Sequence, residues 1–178
     1  WLMLLMVSAT FTSRILTHFE DALASLPILV AFVPQLMDTG GNAGGQASVS
    51  VIRALSLGDI QMKDFMRVLW KEFRVALLCG LTLAVVNFVK MMIFNDVSRS
   101  VYGVSMSLII SAVVCVTIAL AVVIAKVIGS MLPILAKRIG FDPAVMASPL
   151  ITTIVDVVSL LVYFLISTTV LSHAGLAL

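Results

Sequence analysis

Several continuous apolar stretches, each about as long as a bilayer is thick and parted by short polar breaks, dominate this 178-residue chain. A hydrocarbon core of about 30 Å needs roughly 20 apolar residues per helical crossing. Because the runs are continuous rather than alternating, closed barrels are disfavoured and helices must satisfy the backbone hydrogen bonds. Composition agrees: 61% of residues are hydrophobic, 11% are charged and mean hydropathy is +1.19, well outside the range of a water-soluble domain. The fold class read from these features is all-α integral membrane, with the lipid bilayer as solvent.

Transmembrane helices are expected at about 1–17, 26–52, 75–94, 101–135 and 144–171, five in all. The fourth is too long for one straight crossing at about 1.5 Å per residue, which predicts a tilt or a break near Gly129 and Pro133. Over about 59–74, Met62, Phe65, Met66, Leu69 and Phe73 recur at helical spacing against Lys63, Arg67, Lys71 and Arg74. This pattern predicts an amphipathic helix on the inner membrane face, with a cytoplasmic extension of the third span as the alternative. No internal repeat or low-complexity segment is visible.

Net charge is only +2, and no basic run carries interleaved aromatics, so nucleic acid is not an expected partner. The placement of charge is more informative. Arg53, Lys63, Arg67, Lys71 and Arg74 crowd the connection between the second and third spans, and Lys137 with Arg138 occupies that between the fourth and fifth. Basic loops stay in the cytoplasm, so the amino end is expected inside and the carboxyl end outside. The opposite connections hold His18, Glu20 and Asp21, or Asn95, Asp96 and Arg99; Glu20 and Asp21 would lie at the outer mouth, as an ordinary solvated loop or as an attractor of cations. Cys79 and Cys115 fall within different apolar spans without metal-ligand spacing and read as small core residues. The first span has neither a basic leader nor a small-residue cleavage site, so no signal peptide is expected, and the chain reads as a segment of something longer.

Polar residues inside the spans carry the chemistry. A carboxylate at the bilayer centre costs roughly 2.5 to 3.5 kcal/mol on insertion scales, so it is paired or functional. Asp156 is the strongest candidate, because Ser148, Thr152, Asp156, Ser159 and Tyr163 follow at four, four, three and four residues to form one polar stripe on the fifth span. Such a stripe suits a hydrated cavity; a buried ion pair of Asp156 with Lys90 or Lys126, or a protonated carboxyl bonded to a neighbouring helix, is the structural alternative. Hydroxyl and carboxylate oxygens suit hard cations, and Mg²⁺, reluctant to lose its waters, would be held largely through them. One carboxylate per chain makes a poor divalent site, so a two-fold axis along the fifth span, bringing two copies to one pore, is expected.

In the second span, Asp38-Thr-Gly-Gly-Asn-Ala-Gly-Gly-Gln46 holds four glycines in nine residues. Gly40 with Gly44, and Gly41 with Gly45, form overlapping small-xxx-small pairs that permit close helix packing. Equally, the glycines could expose backbone carbonyls to a pore, with Asn42 and Gln46 offering amide oxygens to hydrated ions. Asp38 adds a second carboxylate.

These motifs carry a resemblance: the chain looks like the transmembrane domain of the MgtE family of magnesium channels. The resemblance covers essentially the whole chain and rests on Pro34 through Gln46, on Arg53-Ala-Leu-Ser-Leu-Gly-Asp59, and on Asp142-Pro-Ala followed by Pro149-Leu-Ile-Thr-Thr and Asp156. It implies a homodimer with five helices per subunit and a pore at the subunit interface, where Asp156 of both chains binds hydrated Mg²⁺, which is both the transported and the bound ion. The metal set expected is Asp156, Asn42, Ser148, Thr152 and Asp38, with Gly41, Gly45, Gln46 and Ser159 lining the pore. The resemblance also implies cytosolic amino-terminal and CBS regulatory domains in the full-length chain. Residues 1–178 are read as the pore domain alone, without that gating, in a bacterial inner membrane. Asp38 and Thr39 stand where many relatives have smaller or apolar residues, and Ser159 where glycine is common, so selectivity among Mg²⁺, Mn²⁺ and Co²⁺ stays open.

Rival readings are a secondary transporter for other divalent cations such as Mn²⁺ or Co²⁺, a structural membrane subunit, and an intramembrane aspartyl protease using Asp38 and Asp156. The transporter lacks a visible inverted repeat. The protease lacks the Gly-x-Gly-Asp and Tyr-Asp contexts of such enzymes, and a non-enzymatic protein is expected.

Overall fold

The computed structural model describes residues 2–19, 24, 27–94, 97 and 99–173. Among these, five helices of 17 residues or more follow in order: α1 Leu2–His18, α2 Ile28–Leu57, α3 Phe65–Phe94, α4 Arg99–Arg138 and α5 Pro143–His173. Helix α4 is the central element and packs on α2, α3 and α5, while α5 also packs on α2 and carries α1 on its flank. The main core lies where α2, α4 and α5 meet, through Leu29, Phe32, Leu36, Val114, Ile118, Leu160 and Phe164, all nearly inaccessible. Phe19, just beyond α1, stacks on Phe164 with ring centroids 4.9 Å apart.

Among the described residues, three segments are long and apolar enough to cross a membrane: Met62–Phe94, Gly103–Arg138 and Leu150–His173. Helix α1 has 17 residues, and α2 is interrupted by Gln35, Asp38, Asn42 and Gln46. The outer face of α3 is what lipid requires: Leu77, Leu78, Leu81, Val85, Val86 and Ile93 are exposed along it, a patch too large and too apolar for water.

Two boundaries bear on the sequence reading. Of the two readings given for 59–74, the structure follows the alternative: after a short 3₁₀ turn, Met62–Asp64, the residues from Phe65 onward belong to α3, so the amphipathic stretch extends the third span. No glycine or proline occurs from Phe65 to Cys79, across the join of the two stretches, so nothing stops helix propagation there. Helix α2 instead ends where it must: Gly58 adopts the left-handed φ of 78° and the Asp59 N–H donates to the Ala54 carbonyl at 3.0 Å. In α4 the non-helical residue is Gly103 (φ 78°, ψ 162°), near its start, while the helix continues through Gly129 and Pro133. Pro133 and Ile134 are buried there, so packing holds the backbone helical across the proline.

Polar contacts tie the spans together. Gln35 Nε2 of α2 donates to Asn87 Oδ1 of α3 at 2.6 Å, and Asn87 Nδ2 approaches Cys115 Sγ of α4 at 3.5 Å. Tyr163, expected on the polar stripe, is fully buried, and its hydroxyl donates to the Leu29 carbonyl at 2.9 Å.

Candidate functional site

The four glycines of α2 divide between two faces. A Cβ on Gly40 would lie 2.9 Å from Ser159 Oγ and 3.0 Å from Val155 Cγ1; one on Gly44 would lie 3.0 Å from the Ala125 carbonyl oxygen. Those two positions let α2 close onto α5 and α4, and Gly129 of α4 completes the seam by lying directly against the Gly44 backbone. One residue on, Gly41 and Gly45 look into open space. A Cβ on Gly41 would stand 3.7 Å from Thr152 Cγ2 and 3.8 Å from Asp156 Oδ1, and one on Gly45 meets nothing within 4 Å. Close packing and backbone exposure, the two alternatives for this motif, are therefore both present, on different faces of one helix.

The second face opens into a cleft of about 310 Å³ between α2 and α5, lined by Met37, Asp38, Gly41, Asn42, Gly45, Thr152 and Asp156. Helical periodicity puts residues 38, 41, 42 and 45 on one side of α2, and the four-residue step from Thr152 to Asp156 does the same on α5. Asn42 Nδ2 donates to Asp38 Oδ1 at 3.0 Å, which leaves the amide oxygen and the second carboxylate oxygen for other ligands. The Asp38 and Asp156 carboxylates, the Asn42 amide and Thr152 thus line one cleft, and oxygen donors of these kinds suit hard cations.

Other expected site residues fall elsewhere. Ser159 is buried against Gly40 and not in the cleft, because the three-residue step from Asp156 turns it about 60° toward α2. Gln46 is exposed on α2 outside the cleft lining. The side chain of Ser148 lies outside the described residues, as do Glu20, Asp21, Asn95 and Asp96. Asp38 and Asp156, which a protease would need as a dyad, line the same cleft, and Asp38 takes its hydrogen bond from Asn42.

One pairing was missed. Lys126, weighed above as a partner for Asp156, is buried, with its Nζ 3.5 Å from Glu72 Oε2 of α3. The available signal was a lone lysine in an otherwise uncharged stretch from Ser105 to Leu135, since a charge in such a setting needs a counter-ion.

Fold and cleft together define a class: a multi-pass helical membrane protein with an oxygen-lined cleft between two of its helices. Comparison with known proteins then assigns a family. The family model MgtE, described as a divalent cation transporter, matches residues 33–166, and the chain belongs to that family. It is 40% identical over 163 residues to the magnesium transporter MgtE of Thermus thermophilus, covering 92% of this chain and 34% of that protein. To the magnesium transporter MgtE of Bacillus subtilis it is 32% identical over 168 residues, and to that of Enterococcus faecalis 31% over 165. The chain spans about a third of the length of these relatives, from 34% to 35%.

Proposed function

We infer that this chain is the membrane-embedded, pore-forming part of a Mg²⁺ channel. The observation that carries the reading is the cleft in which Asp38, Asn42, Thr152 and Asp156 meet beside two glycines without side chains. Three relatives named as magnesium transporters support the choice of ion. All five helices cross the bilayer in this reading, α1 and α2 included, with α2 tolerated because its polar face borders water and not lipid.

Among the described residues no three His, Cys, Asp or Glu side chains cluster as ligands for a bare ion. One cleft therefore offers too few charges for a dehydrated divalent cation, and the ion passes with most of its water, contacting the protein through its hydration shell. A homodimer with its axis beside α2 and α5 doubles the carboxylates around a shared pore. Basic residues at the α2–α3 and α4–α5 connections put those ends in the cytoplasm of a bacterial inner membrane, and the ion moves inward. An inside-negative potential supplies the drive, about 4.6 kcal/mol per 100 mV for a doubly charged ion. The cytosolic regulatory domains belong to a longer chain, and residues 1–178 are the pore domain.

The test is Mg²⁺ uptake into proteoliposomes under an imposed inside-negative potential. Wild type should conduct and Asp156→Asn should lose at least tenfold in flux while keeping its thermal stability. Equal flux in both would remove Asp156 from the pathway.

A further inference from the structure

A cavity of about 500 Å³ lies away from the α2–α5 cleft, in the elbow between α2 and α3. Its charged lining is Arg67, Lys71 and Arg74 against Asp59, Asp64 and Glu72. The two sets are not in the same state. Glu72 is paired with Lys126, whereas Asp64, whose Oδ2 accepts the Gln61 N–H at 2.8 Å, and Asp59 keep their charges. None of the three basic side chains has an ion-pair partner among the described residues. With Glu72 paired, three basic side chains face two carboxylates, Asp59 and Asp64, an excess of one positive charge.

The three basic residues recur at four and three residues along α3, one stripe about 10 Å long. Beside it runs an apolar stripe, with Met66 69%, Trp70 60% and Leu77 48% exposed, continued by Leu78 and Leu81. Trp70 stacks on Phe73 at a centroid distance of 5.8 Å, and tryptophan is the side chain that membrane–water interfaces enrich. A soluble anion would use only the first stripe, whereas a phospholipid uses both.

We propose that the α2–α3 elbow binds an anionic phospholipid, its phosphate held by Arg67, Lys71 and Arg74 and its acyl chains lying along the Trp70–Leu77 face of α3. Basic pockets at the cytoplasmic side of transmembrane helices bind such headgroups at about fivefold in affinity per cationic side chain.

The chain has two tryptophans, so Trp1→Phe leaves Trp70 as the reporter. Its fluorescence is measured in phosphatidylcholine vesicles containing brominated phosphatidylglycerol or, at the same mole fraction, brominated phosphatidylcholine. Phosphatidylglycerol should quench more steeply. The preference should fall about fivefold with Lys71→Gln alone and vanish with Arg67→Gln, Lys71→Gln and Arg74→Gln combined. Arg53→Gln with Lys63→Gln, two changes outside the cavity lining, should preserve it. Circular dichroism confirms that each variant is folded, and the single variant decides the matter if the triple one is not. Equal quenching by both lipids, equal loss in the Arg53/Lys63 control, or abolition of the preference by soluble glycerol phosphate would each overturn the proposal.

Discussion

Replacing Gly129 by alanine should separate α2 from α4, whereas the same change at Gly45 should be harmless. A Cβ on Gly129 would lie 2.8 Å from the Gly44 carbonyl carbon and 2.9 Å from its Cα, and closer still to the carbonyl oxygen. Carbon atoms pack at about 3.5 to 4.0 Å, and backbone cannot rotate away as a side chain can, so the two helices must part by roughly 1 Å. Overpacking of this kind costs about 1 to 3 kcal/mol. Both variants regain the roughly 1 kcal/mol of helix propensity that glycine forfeits, so that contribution cancels in the comparison. The difference between them isolates the clash, and the scaling of about 2 to 4 °C per kcal/mol for soluble domains of this size puts the two melting temperatures roughly 2 to 12 °C apart. Thermal unfolding in detergent, followed with a thiol-reactive fluorophore that reports exposure of the buried Cys115, measures the gap. Equal melting temperatures, or a more stable Gly129→Ala, would refute the close approach of Gly44 and Gly129.

Lys126→Met strands the Glu72 carboxylate in an apolar setting and should lower stability by about 3 kcal/mol, with most of it recovered in the Glu72→Gln/Lys126→Met double variant; the same thermal assay decides, and additive losses would contradict the pairing. Gly41→Val should push methyl groups toward Thr152 and Asp156, cutting Mg²⁺ flux at least tenfold while the melting temperature moves by only a few degrees. Undiminished flux in that variant would mean that ions do not pass between these residues.

The sequence made the architecture largely legible because lipid imposes one requirement, long apolar helices, that composition displays directly. The apolar lengths of the third, fourth and fifth spans are those of the segments able to cross a membrane. The cleft was partly legible, since the spacing of Asp38, Gly41, Asn42 and Gly45 fixes one face of α2 wherever the helix is put. Spacing could not tell how far a polar stripe stays open. Ser159 and Tyr163 continue the stripe of Thr152 and Asp156, but α2 crosses α5 there and covers them. The Glu72–Lys126 pair joins residues 54 apart in sequence, and the Gln35–Asn87 bond residues 52 apart; no local pattern encodes such partners. The continuity of α3 was left between two alternatives for a different reason: a surface-lying helix and the foot of a spanning helix share one amphipathic signature.

The claim that the α2–α5 cleft holds the ion is tested most directly at Gly45, where a new side chain meets nothing within 4 Å. With half-buried Cys79 changed to alanine, Gly45→Cys is treated with a small charged thiol reagent, with and without Mg²⁺. Modification should be rapid, should slow severalfold in Mg²⁺, and should lose that protection when Asp156→Asn is added. A rate indifferent to Mg²⁺ in the presence of Asp156 would contradict the assignment of this cleft to the ion.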